Sequence, residues 1–173
     1  ANPDYCKEGS THPSARLFPV ANAGRHLAVY DPATKRLTHI STCFGTHHLM
    51  FAEDANHTLW TSGGGQVVGW LNRKMFDETG DEVRSQGWTA LIMDTNGNGQ
   101  RDAYVEPNQP VDPTKDKRFN GAFYSVAPAP DGSIPCTSVG AHRSPSSSVK
   151  APLPQPTSIQ RRPEGGASQS RKI

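Results

Sequence analysis

Short runs of hydrophobic residues alternate with polar turn residues along most of this chain. The runs are rich in Leu, Val, Ile, Thr and aromatic residues, and each is followed by Asp, Asn, Gly or Pro. This pattern predicts β-strands joined by tight turns. Only 34% of the 173 residues are hydrophobic, and the chain contains 16 Gly and 15 Pro, so no long helix is expected. We therefore predict an all-β fold.

The first strand pair predicted is a hairpin at residues 26–42. Residues 26–30 and 37–42 have a β-rich composition, and residues 31–35 (Asp-Pro-Ala-Thr-Lys) form the turn between them, because Pro presets φ. Residues 1–25 contain three prolines that interrupt regular pairing, and we predict an irregular segment there.

A larger unit is predicted at residues 46–106. Its strands are expected at residues 47–52, 58–62, 66–71 and 88–93, with a short return strand at 103–106. Two polar insertions, at residues 72–87 and 107–120, are predicted as long connections, the first with one helical turn. Residues 122–134 begin the strand pattern again, but the strand containing Trp that should complete it does not follow.

Four antiparallel strands followed by the start of the next unit form the layout of a β-propeller blade. On this interpretation residues 26–42 are half a blade, residues 46–106 a full blade and residues 122–134 the start of a third. This number of blades is too small to close a ring. We therefore predict an incomplete β-propeller, whose partners are the missing blades of a parent protein. The chain starts with Ala; either an export segment has been removed or this is an internal piece of a longer protein, which we favour.

Residues 135–173 form a basic, Ser/Pro-rich tail that we predict to be disordered. From Thr137 onward six Lys or Arg residues oppose Glu164 alone, a net charge of +5; the whole chain is +2, so the preceding residues carry −3. No nucleic-acid partner is therefore expected for the folded part. The tail is a linker that binds an acidic surface, an unstructured terminus, or out-of-frame translation. We favour the last, because the change comes inside a strand pair.

A Gly/Asn-rich segment at residues 94–102 predicts a structural calcium-binding loop. Oxygen-bearing side chains recur at alternate positions, and Gly99 permits the turn that brings them together. The predicted ligands are Asp94, Asn96, Asn98, Gln100 (through its carbonyl), Asp102 and Glu106. A bidentate Glu is expected at Val105, so Glu106 comes one residue late. The alternative is a metal-free turn held by Asx hydrogen bonds.

His47 and His48 are the candidate catalytic residues. They are neighbours on a predicted strand, so their side chains should point to opposite faces and should not chelate one metal together. One of the two would face the central channel of a propeller. The alternative is that both are solvated or hydrogen-bonded. Trp60, Trp70 and Trp88 fall one per strand and predict packing between blades. No apolar run approaches the roughly 20 residues of a membrane span.

The cysteines leave the redox state open. Cys6 and Cys43 lie in the part predicted to fold, where they form either a disulfide in an oxidising compartment or two free buried thiols. Cys136 would be the odd one out.

Residues 26–134 resemble the NHL-like β-propellers, in particular the streptogramin (virginiamycin B) lyase-like superfamily. Blades of that superfamily begin with a His and continue through an Asp/Asn turn, a Leu/Val-Trp strand and a Gly-rich turn to an apolar strand. The residues that match in this order are His47, Asn56, Leu59-Trp60-Thr61 and Val67-Val68-Gly69-Trp70. Residues 31–35 are similar to the family's Asp-Pro-x-Thr-Gly hairpin, with Lys35 in place of Gly.

This resemblance implies a scaffold or ligand-binding module of an exported protein, periplasmic or extracellular, whose ligand is a small molecule or another protein. The alternative it implies is a metal-assisted lyase or hydrolase, in which a channel-facing His acts with acidic residues and a divalent metal. That residue set does not map onto this chain, because it would be spread over blades that the chain lacks.

Overall fold

The computed structural model describes residues 1–63, 65–119, 121, 123–130, 134–138 and 148–149. Strands predominate and helices are few, so the predicted all-β class is confirmed. The strands are β1 (Leu27–Asp31), β2 (Arg36–Ile40), β3 (Leu49–Phe51), β4 (Thr58–Thr61), β5 (Val67–Asn72), β6 (Gln86–Ala90), β7 (Ile92–Met93), β8 (Tyr104–Val105), β9 (Asp116–Arg118), β10 (Phe123–Val126), β11 (Ile134–Ser138) and β12 (Ser148–Val149). The α-helices are α1 (Pro13–Leu17), α2 (Arg73–Thr79) and α3 (Glu82–Ser85). None of the helices in the described ranges is long and apolar enough to cross a membrane.

A four-stranded antiparallel sheet in the order β3-β4-β5-β6 forms the centre of the fold. Leu59 lies opposite Leu71, Trp60 opposite Trp70, and Gly69 opposite Trp88. Strands β4, β5 and β6 are buried along their whole lengths, because both faces of the sheet are covered. The predicted succession of four antiparallel strands is therefore present, although it ends at Ala90.

One face of this four-stranded sheet is covered by the β1–β2 hairpin, as the sequence predicts a hairpin there. Leu27 and Ile40 of the hairpin form a buried cluster with Leu59 and Leu71. Farther along the same face, the Phe44 ring lies against Gly69, where an added Cβ would come within 2.0 Å of the ring. A side chain at position 69 would therefore displace the ring.

The N-terminal segment packs on the same face and is more regular than predicted. Pro13 begins α1, and the His12 ring accepts a hydrogen bond from the Ser14 N–H over 3.2 Å, which caps the helix. The Trp88 backbone N–H donates to Ser14 Oγ over 3.0 Å, and its indole N–H donates to the Phe18 carbonyl over 2.7 Å. The N-terminal segment is therefore packed against the sheet through part of its length, and Cys6 and Ala15 are buried.

The other face of the four-stranded sheet packs against β10 and β11. Trp60 and Trp70 belong to one buried cluster with Val126 and Ile134. Together with Trp88 they are at most 8% exposed, which agrees with their predicted role in the core. Of the four sheets, the one formed by β3–β6 thus packs between the β1–β2 hairpin and the strands β10 and β11, and the small sheet of β7, β8 and β9 comes before β10 in the chain. Within the described ranges they do not close into a ring or a barrel.

The predicted extent of the full blade, residues 46–106, is wrong at its C-terminal end. The strand predicted at residues 88–93 is divided at Leu91, whose carbonyl accepts from the Phe119 N–H over 2.7 Å. Strand β9 comes from the predicted insertion at 107–120 and lies between β7 and β8, parallel to β8. Pairing with β7 and β8 places β9, including the buried Asp116, in a separate three-stranded sheet.

The insertion at residues 72–87 forms two helices where one helical turn is predicted. Asn72 Oδ1 accepts from the Met75 N–H at the start of α2, and Asp81 Oδ1 accepts from the Arg84 N–H at the start of α3. Gly80 ends α2 in the left-handed conformation, with φ of 66°. These caps explain why a polar segment folds into helices.

The predicted start of the disordered tail at residue 135 differs from the structure. β11 continues through Pro135 to Ser138 and pairs with both β10 and β12. Hydrogen bonding to β10 extends to Pro135, whose carbonyl accepts from the Ala127 N–H over 2.9 Å. The third unit therefore contains more than one strand. The rest of the predicted tail, 139–147 and 150–173, lies outside the described residues.

Candidate functional site

The predicted calcium loop lies between β7 and β8. The Asp94 carboxylate accepts hydrogen bonds from the Gly97 N–H over 2.6 Å and from the Gly99 N–H over 2.8 Å. Both glycines have positive φ, 75° and 74°, a conformation that other residues adopt only at a cost. The sequence thus folds here into a turn that surrounds the first predicted ligand.

Three more of the predicted ligands come together in this loop. Asn96 Oδ1 accepts from the Asn98 N–H, and Asn98 Oδ1 accepts from the Gln100 N–H. Both Asn amides donate to Asp102 Oδ2, over 2.8 and 2.6 Å. These hydrogen bonds, from Asn96 first and then from Asn98, lower the pKa of Asp102 below its usual value. The loop therefore keeps its second carboxylate ionised.

Glu106 is not brought to the loop. Its carboxylate accepts from the Arg118 guanidinium, with Nε at 2.8 Å, because β8 and β9 pair side by side. Glu106 would have to leave Arg118 in order to act as the bidentate ligand. Gln100 lies at the exposed edge of the loop, where its backbone N–H is engaged with Asn98.

Asp116 is a residue of this site that sequence reasoning missed. It is 1% exposed, and its Oδ2 accepts from the Asp102 N–H over 2.7 Å. Its Oδ1 has no hydrogen-bond partner within the described part of the chain. Asp116 lies 14 residues after Asp102 and reaches the loop only through strand pairing, so no motif spacing could have revealed it.

Metal coordination at this loop stays a prediction. Among the described residues, no three His, Cys, Asp or Glu side chains are grouped so as to hold a metal ion. In the structure the loop is held by Asx-type hydrogen bonds from its own backbone.

The sequence predicts that His47 and His48 point to opposite faces of a strand, but in the structure they do not. β3 begins only at Leu49, so the alternation of a strand does not apply to the two histidines. Their Nδ1 atoms are 2.6 Å apart, and both rings contact Tyr124, with ring centroids at 5.3 and 4.5 Å. Both side chains are exposed. Within the described ranges neither ring hydrogen-bonds to a carboxylate, so no acidic partner for catalysis is found beside them.

Of the two states predicted for Cys6 and Cys43, a disulfide or two free buried thiols, the structure contains the disulfide. Cys6 and Cys43 form a disulfide that joins the N-terminal segment to the connection after β2. Both are fully buried, in one cluster with Phe44 and Trp88. The side chain of Cys136 lies outside the described part.

Comparison of the chain with family models, with curated proteins and with solved structures gave no match.

Proposed function

We propose that this chain is part of a β-propeller of an exported protein, where it serves as a scaffold or ligand-binding module with a structural calcium loop. The observation that carries the proposal is the order of the sheets. The four-stranded sheet has the preceding hairpin on one face and the following strands on the other, as a blade has its two neighbours. The resemblance to the NHL-like and streptogramin lyase-like propellers agrees with this arrangement.

The outward side of the hairpin supports the presence of further units. Tyr30 and Leu37 lie opposite each other on the two strands, and they are 58% and 54% exposed. On the edge strand β3, Leu49 and Phe51 are 56% and 50% exposed. Apolar pairs at such positions are expected where another blade packs, so the partners proposed are the missing blades of the parent protein.

Sedimentation velocity over a range of protein concentrations tests this packing role. We expect the chain to self-associate as its concentration rises, because no described residue covers the exposed hairpin face. The double variant Tyr30→Thr/Leu37→Thr should stay monomeric, since Thr keeps the strand propensity but removes the apolar surface. Leu17→Gln, at an exposed site on α1, is the matched control. A wild-type chain that is monomeric at all concentrations would contradict the proposal.

The disulfide supports an oxidising compartment, periplasmic or extracellular, since such bonds are rare in the reducing cytosol. Extracellular calcium sites bind weakly, with Kd of roughly 10⁻⁴–10⁻³ M, and two carboxylates in the loop fit that range. The buried Asp116 accepts a hydrogen bond from the Asp102 N–H and so supports the backbone at the end of the loop.

Calcium titration followed by thermal unfolding tests the loop. We expect the wild-type melting temperature to rise with millimolar Ca²⁺, because an ion that binds only the folded state stabilises it. Asp94→Ala should abolish the rise. Asp112→Ala is the matched control: that carboxylate also caps a turn, through the Thr114 N–H, but lies outside the loop. The calcium role would be ruled out by equal melting temperatures with and without Ca²⁺.

The lyase-like alternative has less support. Its candidate residues, His47 and His48, contact each other and Tyr124. General acid–base chemistry with a metal would need acidic groups within reach of one of them.

A further inference from the structure

A cleft of about 640 Å³ lies between the N-terminal segment and the four-stranded sheet. Residues 10–14, the β3–β4 turn at residues 54–56 and the α3–β6 junction at residues 83–87 line it, together with Trp70 and Met75. Small-molecule sites in proteins have volumes of about 300–1,000 Å³. The cleft shares no lining residue with the predicted calcium loop or with the histidine pair.

The lining segments are held in place before any ligand binds. His12 stacks on Trp88 with ring centroids 4.7 Å apart, and its Nε2 lies 3.1 Å from the Val83 carbonyl. In the β3–β4 turn, Asp54 Oδ1 accepts from the N–H groups of Asn56 and Thr58. A site formed in advance loses little conformational entropy on binding.

Several polar groups that line the cleft have no partner within the described part of the chain. Ser85 is 1% exposed, and its Oγ makes no hydrogen bond. The side-chain amide of Asn56 and the hydroxyl of Thr58 are also free of hydrogen bonds to described residues, although both residues line the cleft. A buried hydroxyl without a partner is unfavourable, because it has lost its hydrogen bonds to water. A ligand with hydroxyl groups would supply the missing partners.

The charge of the lining favours a neutral ligand. Asp54 and Arg84 are the carboxylate and the guanidinium among the lining residues, and their charges cancel. Burial lowers the pKa of His12, so its ring adds no charge near neutral pH. The other polar groups are hydroxyls and amides, and Trp70 and Met75 supply apolar surface. A sugar ring carries hydroxyl groups at its edge and C–H groups on its faces. The hydroxyl and amide groups of the cleft can bond the former, and its apolar side chains can contact the latter.

We propose that this cleft binds a neutral, hydroxyl-rich ligand of the monosaccharide or disaccharide class. The Ser85 hydroxyl and the Asn56 amide bond the sugar hydroxyls, and Trp70 contacts the apolar side of the ring. This assignment names a ligand class for the module proposed above. It does not depend on the calcium loop or on the packing of further blades.

Titration of the full chain with sugars tests the assignment, with tryptophan fluorescence and calorimetry as readouts. The neutral probes are glucose, galactose, mannose, N-acetylglucosamine, maltose and cellobiose, and the charged probes are glucuronate and glucosamine. We expect saturable binding of at least one neutral sugar and weaker binding of its charged analogue. Ser85→Ala should lower the affinity by about three- to tenfold, the effect of one lost hydrogen bond. Its unfolding free energy should not fall, since that hydroxyl makes no bond in the free protein.

Two further variants keep the test decisive if Ser85→Ala fails to fold. Asn56→Ala, at the partly exposed turn, should weaken binding to a similar degree. Asn108→Ala, an exposed amide outside the cleft, should leave the affinity unchanged. The assignment is overturned if no neutral sugar binds saturably, if charged sugars bind equally well, or if neither cleft variant changes the affinity. None of these outcomes bears on self-association or on calcium binding, so the two proposals fail separately.

Discussion

Lys35 and His57, among the described residues, are the non-glycine positions with positive φ, 55° and 49°. Each lies in the turn of a β-hairpin. The turn before Lys35 is set by Asp31, which accepts from the Ala33 N–H over 2.9 Å and from the Thr34 hydroxyl over 2.6 Å. The side chain of Asp31 thus fixes the turn, and Lys35, the last turn residue, adopts the strained left-handed conformation. Gly would adopt this conformation at a lower cost than Lys does.

Lys35→Gly should raise the free energy of unfolding by roughly 0.5–1 kcal/mol. The left-handed conformation costs an L-residue about 1–2 kcal/mol, whereas the extra freedom of Gly in the unfolded chain costs about 0.5–1 kcal/mol. Urea denaturation measures the difference. Lys35→Ala keeps the strain and should give no gain; an equal gain from both variants would show that the lysine side chain, not the backbone, is responsible.

His12 should make the fold sensitive to mild acid. Burial lowers its pKa, so the folded protein binds this proton less readily than the unfolded chain does. Its contribution to stability is complete above the usual histidine pKa of about 6.5 and is lost as the pH falls through its lowered value. Protonation of Nδ1 would also remove the acceptor for the Ser14 N–H.

The measurement is the free energy of unfolding of wild type and His12→Asn between about pH 7 and pH 5. Asn retains a capping oxygen but does not titrate. We expect the stability of the wild type to fall more steeply with decreasing pH than that of the variant. Parallel profiles would mean that His12 is not the responsible group.

At the scale of elements, the connection between β2 and β3 packs closely on the four-stranded sheet because Gly69 has no side chain. Gly69 in β5 leaves room for the Phe44 ring, which is 1% exposed. Strands β4 to β6 are buried at successive positions because this ring, the hairpin and the N-terminal segment cover one face while β10 and β11 cover the other. Packing on both faces, rather than strand propensity alone, stabilises the sheet.

Gly69→Ala should destabilise the protein by about 1–3 kcal/mol, because its Cβ would overlap the Phe44 ring and force it to move. Chemical denaturation measures this change. Gly65→Ala is the matched control, since an added Cβ there meets nothing within 4 Å. If the two variants were equally stable, the Phe44 ring would not lie on β5 as described.

At the scale of the whole molecule, the strand pattern predicted the hairpin, the four antiparallel strands and the buried tryptophans. It failed where tertiary contacts decide the structure. Strand β9 was predicted as an insertion, because its Asp-Lys-Arg sequence carries no hydrophobic alternation and only pairing with β7 and β8 orders it. The same pairing brings Asp116 to the calcium-type loop and draws Glu106 to Arg118. The cleft lined by Ser85 brings together segments far apart in sequence, which no local pattern can show.

Removal of the disulfide should cost about 4 kcal/mol, because it closes a loop between residues 37 positions apart. The test compares the free energy of unfolding of wild type with that of Cys6→Ala/Cys43→Ala. A reductant should destabilise the wild type to the same degree and leave the variant unaffected. The cysteines would instead be free and buried if reductant left the stability of the wild type unchanged and two thiols reacted with an alkylating agent only after unfolding.

The central claim is that the four-stranded sheet lies between the β1–β2 hairpin and the β10–β11 strands. Hydrogen–deuterium exchange of backbone amides, read by mass spectrometry, tests it most directly, because amides in a sheet covered on both faces exchange only through extensive opening. We predict the slowest exchange in β4, β5 and β6, faster exchange in the exposed edge strand β3, and the fastest in the loop at residues 107–115. Exchange in β4 to β6 as fast as in that loop would contradict the account.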